Sequence, residues 1–341
     1  MKKFWKFGMS AGLAAVLLAG CGGEDGTIEE QEIEEQEIDR DEEIEESEIE
    51  TPAEPPEEVA EVEFPVTLVD ALGDEVVIEE EPQAIVSMVP STTEIAYELG
   101  LADKMVGVSD YDNYPEETAD VEKIGGQEFN VEKVISLEPD LVISHESGIS
   151  TWETGLQQLR DAGITVYVVN NETSFEEVYD SITVIGQATG ATDEANALVT
   201  EMQVQVDSIT EQAEAVEDPK TVFVEVGSEP DIYTTGSGTF IDEMLSMINA
   251  ENMAGDQEGW VSMDPEAIVS GNPDVIVTTE GGYNPEAVEQ IKQRGGFSEI
   301  TAVKEDAVYN IDSDAVTRSG PRLTVGLLEL AEAVYPEVFS E

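Results

Sequence analysis

Side chains able to do chemistry are scarce in this chain. It has one histidine, His145, and one cysteine, Cys21, and 14 lysines and arginines stand against 78 aspartates and glutamates. Nucleophilic catalysis needs a serine, threonine or cysteine activated by a nearby base. From residue 64 on no serine occupies a G-x-S-x-G elbow, the one such spacing, 8–12, falling in the apolar run near the N-terminus, and His145 has no evident nucleophile partner along the sequence. A phosphate-cradling GxxxxGK[ST] loop is missing as well. Zinc and manganese sites use clustered histidines and carboxylates, which a lone histidine does not provide. The expectation is a protein that is not an enzyme, with no catalytic residues, no resident metal and no cofactor. Carboxylates are too many for composition alone to single out an acid/base pair.

Two carboxylates are singled out by position. The stretch NVEKVISLEPDLVISHE, 130–146, returns as DPEAIVSGNPDVIVTTE, 264–280, with Glu132 and Glu266 in register. One repeat at so long a period is no solenoid. It implies two similar α/β lobes with a cleft between them, where ligand sites are common. Asn130 and Asp264 suit helix N-caps, Pro265 suits the first helical position, and each glutamate sits at the positive end of its helix. Glu-Pro-Asp and Asn-Pro-Asp then end the helix, and LVI or VIV supplies a buried strand. Helix, turn and parallel strand form the unit of a doubly wound sheet.

The remaining elements fall around these copies. FPVTLVDALGDEVVI, 64–78, alternates about a Gly73-Asp74 turn and predicts a hairpin. A strand at 84–88 leads into the helix PSTTEIAYELG, capped by Ser91 or Thr92, and a strand at 106–108 leads into the loop SDYDNYPEE. That loop, with Tyr111, lies at the carboxyl end of a strand, where open parallel sheets collect ligands. His145 follows the strand 141–144 on the same side. Helices at 152–162 and 175–189 flank a strand at 165–169. The longest helical pattern, 192–216, carries Ala195, Leu198, Val199, Met202, Val206, Ile209 and Ala213 on one stripe and reads as a rigid connector. The second lobe opens with a strand at 221–226 and the turn-rich loop GSEPDIYTTGSGTF, which holds Tyr233. Helices at 240–247, 285–293 and 322–334 and a strand at 307–310 complete it. The lobes span 64–190 and 218–341, with the connector at 191–217.

Before residue 64 the chain reads differently. Lys2, Lys3 and Lys6 precede an apolar run from Met9 to Leu18, shorter than the roughly 20 residues a membrane span needs, and the layout is that of a secretory signal, 1–20. The segment 21–63 is dense in glutamate, with isoleucines at 28, 33, 38, 44 and 49 that fit neither helix nor strand period, so it reads as a disordered, self-repelling tether. The tether explains only part of the formal charge of −64. Nucleic acid and anionic membrane surfaces would be repelled.

Leu18-Ala19-Gly20-Cys21 resembles the bacterial lipobox, which implies lipidation of Cys21 and anchoring to the outer face of the cell membrane. In the folded part, AIVSMVPSTTEIAYELG, VGVSDYDNYP, NVEKVISLEPDLVI, TTGSGTFIDEML and TRSGPRL resemble, in order, the substrate-binding lipoproteins of ABC importers for cobalamin, haem or ferric siderophores, with the cobalamin binders nearest. The resemblance implies an α/β fold of two Rossmann-like lobes joined by a single long α-helix, with the ligand in a cleft between them. It also implies a monomer that hands its ligand to a dimeric permease with separate ATPase subunits, docking through Glu132 and Glu266.

Tyr111 and Trp260 fall where cobalamin-binding relatives place aromatics against the corrin, and Tyr233, Ser91 and Arg318 are further ligand candidates. His145 could approach the metal of a bound corrin or haem. The chain departs from those relatives at Gly126, His145 and Ala315, where they carry more tryptophans. Lys104, Lys123, Arg160 and Arg318 form no cluster along the sequence, which favours a neutral ligand over an anionic siderophore.

Overall fold

A hairpin of β1 (Val66–Val69) and β2 (Glu75–Ile78) comes first and turns at Gly73, whose φ of +79° suits glycine. The computed structural model describes residues 63–228 and 230–339. The signal, Cys21 and the tether to residue 62 lie outside the described residues.

The first lobe runs β3 (Ile85–Ser87), α1 (Pro90–Glu98), β4 (Met105–Gly107), α2 (Val131–Ser136), β5 (Leu141–His145), α3 (Ile149–Asp161), β6 (Thr165–Val169) and α4 (Phe175–Thr189). Its four strands pair in parallel in the order β4-β3-β5-β6. After α5 (Thr192–Ala213) come β7 (Thr221–Glu225), β8 (Tyr233–Thr235), α6 (Phe240–Met247), β9 (Glu251–Asn252), β10 (Trp260–Ser262), α7 (Pro265–Gly271) and β11 (Val275–Thr278). Then α8 (Ala287–Gln293), α9 (Thr301–Lys304), β12 (Val308–Asn310), α10 (Ser313–Thr317), α11 (Leu323–Val334) and α12 (Pro336–Phe339) complete the lobe. The second parallel sheet has the order β12-β11-β7-β9. In both sheets the first strand lies inside, the second flanks it on one side, and the third and fourth lie on the other. The two lobes therefore share one topology, and α2–β5 and α7–β11 are the same step of it.

The Pro-Asp pair of the repeat has a structural reason. Glu138 and Asn272 each adopt φ of 50°, a left-handed stop that Pro139 and Pro273 enforce by barring further helix. The next aspartate then reaches the neighbouring strand: Asp140 Oδ2 accepts from the Gln83 and Ala84 amides at 2.8 and 3.0 Å, and Asp274 Oδ2 accepts from Thr221 N at 2.9 Å. Each copy pins the start of its lobe's first strand.

Two caps differ from expectation. Asn130 Oδ1 accepts from Lys133 N at 3.0 Å as anticipated, but the Asp264 side chain makes no such bond, because the Ala267 amide bonds the Asp264 carbonyl instead. Extended Val89, not Ser91 or Thr92, caps α1, since Pro90 takes the first helical position. Ser91 and Thr92 fall inside the first turn, and the Thr92 and Thr93 hydroxyls donate to the Val89 carbonyl.

Strand residues alternate between cores: Leu141 and Ile143 face one, Val142 the other. The inner core continues from β3 and β5 through α4 and α5 into β7, β11, α6 and α11, so a single apolar interior joins the lobes. On α5, Ala195, Met202, Val206, Ile209 and Ala213 are buried, as the stripe predicts. At Gly186 a Cβ would lie 2.4 Å from Ala195 Cβ, so the close approach of α4 and α5 requires glycine. Phe175 and Phe240 meet edge-to-face at 6.4 Å, and Glu243 Oε2 of the second lobe accepts from Phe175 N at 3.0 Å at the start of α4.

Replacing Asp274 with alanine strips a charged acceptor from a strand-end amide and should cost about 1.5–3 kcal/mol. A fall in the urea midpoint checks this, and Asp274→Asn should recover part of it. An unchanged midpoint for the alanine variant would contradict the pinning role.

Candidate ligand-binding cleft

All strands of a parallel sheet end on one edge, and the helices between them open their N-termini there too. The crevice of each sheet lies where strand order reverses, between β3 and β5 in one lobe and β7 and β11 in the other. The most exposed large aromatic side chains among the described residues are Tyr111 (58 %), Tyr114, Tyr233, Trp260 (57 %) and Tyr283 (69 %). Every one lies in a segment at these carboxyl ends. Exposed rings carry a hydration penalty that a flat ligand would relieve.

Tyr111 stands on a braced loop after β4. Ser109 Oγ donates to Asp112 Oδ2 at 2.5 Å, Lys123 Nζ donates to the Asp112 carbonyl at 3.0 Å, and Tyr111 Oη accepts from Gln127 N at 3.1 Å. Gly126 lies under the ring, where a Cβ would come within 2.9 Å of Tyr111 Oη. Trp152 packs on Gly148 and donates from Nε1 to the Gln127 carbonyl at 2.9 Å, closing a pocket of about 510 Å³ beside Tyr111.

Tyr233 and Trp260 share a feature that the sequence did not reveal. β8 and β10 pair antiparallel, with Trp260 opposite Thr235 and Tyr233 opposite Ser262. The two rings are thus diagonal neighbours on one face of the ribbon. Strands of three residues leave no readable alternation, and that is why these positions read as loop. Tyr283, just past β11, is a further exposed ring for which the sequence carries no signal. Its hydroxyl donates to Glu280 Oε1 at 2.8 Å, and partial desolvation at that contact, with the bond and the carboxylate charge, pushes its pKa up to about 12 although the residue as a whole stands exposed.

A groove of about 1140 Å³ runs along the edge strand β12, from Asn113 and Tyr283 past Asp312, Asp314, Glu329 and Glu332 to Pro336 of α12, and of the exposed rings it takes in Tyr283 alone. Behind it lies an ion network linking the lobes. Glu94 of α1, 1 % exposed, accepts from Arg318 Nη1 at 2.7 Å and from Arg322 Nε at 3.1 Å. Arg318 also pairs with Asp314 at 2.8 Å and donates to Asn113 Oδ1 at 2.8 Å, and Asn113 Nδ2 donates to Asp314 Oδ2 at 3.0 Å. Arg322 stacks over the Tyr114 ring at 4.5 Å. Burial alone would depress Arg322, but the hydrogen bond and charge of Glu94 outweigh it and hold its pKa above the ordinary value. Arg318 is therefore a bridge between lobes rather than an open cation, and with Arg322 it forms the cluster that sequence spacing did not suggest. Ser91 is buried where α1 meets Gly320.

The geometry also redirects His145. It ends β5 as its last residue and is 5 % exposed. Nδ1 accepts from Ser147 N at 3.2 Å and lies 2.8 Å from Ser147 Oγ, and Nε2 lies 3.0 Å from Glu172 Oε2. A backbone acceptor role for Nδ1 makes Nε2 the proton carrier toward Glu172. Both nitrogens are engaged, which leaves no lone pair for a ligand's metal in this arrangement. Ser147 is a hydroxyl neighbour that the sequence did not disclose, but its backbone and side chain converge on one nitrogen, closing the turn before α3. Ala315 is buried in the core. Among the described residues no three His, Cys, Asp or Glu side chains are gathered as a metal site, and no helix is long and apolar enough to cross a membrane.

Buried carboxyls give stability a pH signature. Burial raises Asp112 against the Ser109 bond and Lys123, and burial with Glu177 repulsion raises Glu243 against the Phe175 amide. Burial would also raise Glu172, but the bond and charge of His145 and the Ser181 and Ser319 hydroxyls outweigh it and lower its pKa. Asp112 and Glu243 contribute stability that is complete below their unfolded pKa, about 4, and is lost as pH rises through their higher folded values. Glu172 contributes stability that is present above its unfolded pKa and lost as pH falls through its lower folded value. The urea midpoint should peak in mild acid and fall on both sides, and Asp112→Asn should flatten the alkaline side. A midpoint unaffected by that substitution between about pH 4 and 8 would contradict the assignment.

Residues 85–315 match the family model described as periplasmic binding protein. An ABC transporter substrate-binding lipoprotein of Bacillus subtilis, YvrC, is 54% identical over 280 residues, 82% of this chain and 88% of the relative. A cobalamin-binding protein of Halobacterium salinarum is 30% identical over 298 residues, 83% of this chain and 78% of its own. Among solved structures, a possible iron-binding (periplasmic solute-binding) protein of Staphylococcus epidermidis superposes with a TM-score of 0.69 at 38% identity, covering 75% of this chain and 100% of that one. The periplasmic vitamin B12 binding protein BtuF of Vibrio cholerae gives 0.64 at 25% identity, covering 75% and 97%. The twin sheets and the matched span of 85–315 thus lead to one assignment: the chain belongs to the periplasmic binding protein family, as an extracytoplasmic substrate-binding protein of ABC transporters.

Proposed function

We propose that the protein captures a cobalamin-type corrinoid outside the cell membrane and delivers it to a dimeric ABC permease driven by separate ATPase subunits. The observation that carries this reading is the set of exposed rings, Tyr111, Tyr233, Trp260 and Tyr283, on the cleft edge. Flat rings suit a broad macrocycle. The cobalamin-binding relative of Halobacterium salinarum supports the same choice. A ferric chelate is the second reading, favoured by the higher identity to the iron-binding structure.

Glu132 and Glu266 are exposed at the second positions of α2 and α7, equivalent places in two lobes of one topology, on the edge that also bears the cleft. Matched acids on two similar lobes suit a two-fold symmetric partner. A bare helix-dipole role would contribute only about 0.3–1 kcal/mol each. Lipidated Cys21 would hold the protein at the membrane while the acidic tether lets the lobes reach the permease.

Titration of the protein with cyanocobalamin, haem and ferric siderophores, followed by visible absorbance and tryptophan fluorescence, tests the ligand. Saturation by cyanocobalamin is expected, saturation by an iron chelate alone would favour the second reading, and silence from all three would remove both. Trp260→Ala and Tyr111→Ala should each weaken corrinoid binding about tenfold or more without moving the urea midpoint. Glu132→Ala or Glu266→Ala should cut uptake by cells and leave the titration unchanged. Loss of binding in either glutamate variant would contradict the docking role.

A further inference from the structure

We propose that the network of Glu94, Asp312, Asp314, Arg318 and Arg322 sets the charge of chelate the cleft accepts, admitting neutral and cationic chelates and turning away anionic ones. The inference rests on the reading that a metal chelate occupies the cleft. It does not depend on which metal or macrocycle is bound.

The argument begins with where the cations are. Every lysine and arginine among the described residues is engaged: all but Lys123 pair with a carboxylate, and Lys123 donates to the Asp112 carbonyl. At the cleft, two guanidiniums meet three carboxylates. Glu94 holds Arg318 and Arg322 from the buried side, while Asp314 takes Arg318 at 2.8 Å and Asp312 lies 3.6 Å from Arg322 on the open side. The acids, not the cations, are the open members of the network: the Asp312 and Asp314 side chains are 48 and 33% exposed, whereas the arginine side chains are mostly covered, at 15 and 18%.

This arrangement discriminates by charge. An anionic chelate, such as haem with its two propionates or a ferric catecholate, finds no open guanidinium. To gain one it would have to displace Asp312 or Asp314, or draw an arginine from Glu94 and leave that buried carboxylate with one of its two partners, and either exchange is unfavourable. It would also approach a protein of formal charge −64. A neutral chelate bearing carboxamides brings N–H donors to the partly exposed Asp312 and Asp314 carboxylates, and a cationic one gains attraction besides. Asp312 Oδ1 already accepts from the Asp314 and Ala315 amides, so asparagine at 312 can keep the cap of α10 while removing the charge.

One scaffold in three charge states provides the test. Aquacobalamin in mild acid is a cation, cyanocobalamin is neutral, and a cobalamin monocarboxylic acid is an anion. Their affinities for the full chain should fall in that order by about tenfold per step in low salt, and the steps should shrink to about threefold or less near 0.5 M salt. The double variant D312N/D314N changes two half-exposed side chains and should level or reverse the order, with an unchanged urea midpoint as the folding control. Equal affinities for the three forms in low salt, or an order unchanged in the double variant, would overturn the proposal. If no cobalamin binds, the corrinoid reading fails separately, and the charge rule is read from iron chelates. A neutral or cationic ferric trihydroxamate should then bind, and preference for haem or a ferric tricatecholate would overturn it.

Discussion

A single apolar interior running from the first sheet through α4 and α5 into α6 and α11 is the constraint on which the rest of the structure depends. Two lobes joined by a bare linker could swing apart. These cannot without exposing that interior, together with the Phe175–Phe240 contact and the Glu243 bond to the start of α4. The buried Glu94, shared by arginines of the opposite lobe, adds a charged bridge whose rupture would leave ions unpaired in a covered site. The cleft is therefore largely pre-formed, and recognition falls to the side chains already standing at its rim.

Much of this was readable in the sequence, and the missing parts have common causes. The repeat predicted two lobes of one topology because buried parallel strands leave continuous apolar runs, and the α5 stripe predicted a connector because its period is long and regular. The Pro-Asp pairs were visible, but their task was not, since the amides of Gln83, Ala84 and Thr221 are far away along the chain. Tyr111 stood out through its polar loop. The ribbon that couples Tyr233 to Trp260 did not, because three-residue strands have no usable period. His145 illustrates the same limit: its partner Glu172 lies 27 residues on and becomes a neighbour only when β5 and β6 pair. Arg318 is legible as a ligand candidate, while its buried counter-ion Glu94 is separated from it by 224 residues.

Rarity of positive charge is the second organising fact. A chain with so few cations places them where carboxylates would otherwise be costly to bury, as in Glu94 with Arg318 and Arg322 and Glu225 with Arg294 at 2.6 and 2.8 Å. The exterior is left acidic and the rim is left to uncharged rings and to carboxylates such as Asp312 and Asp314, with no open cation. Aromatic surface and charge pattern thus favour the same kind of ligand: broad, flat and not anionic.

The most direct measurement is a crystal structure of the protein with cyanocobalamin. The account predicts one corrinoid between the lobes, its ring plane against Tyr111 and the Tyr233–Trp260 ribbon, with Glu94 still bridged to both arginines and the lobes in their present relation. A corrinoid bound elsewhere, or lobes rotated with the Glu94 bridge broken, would contradict it.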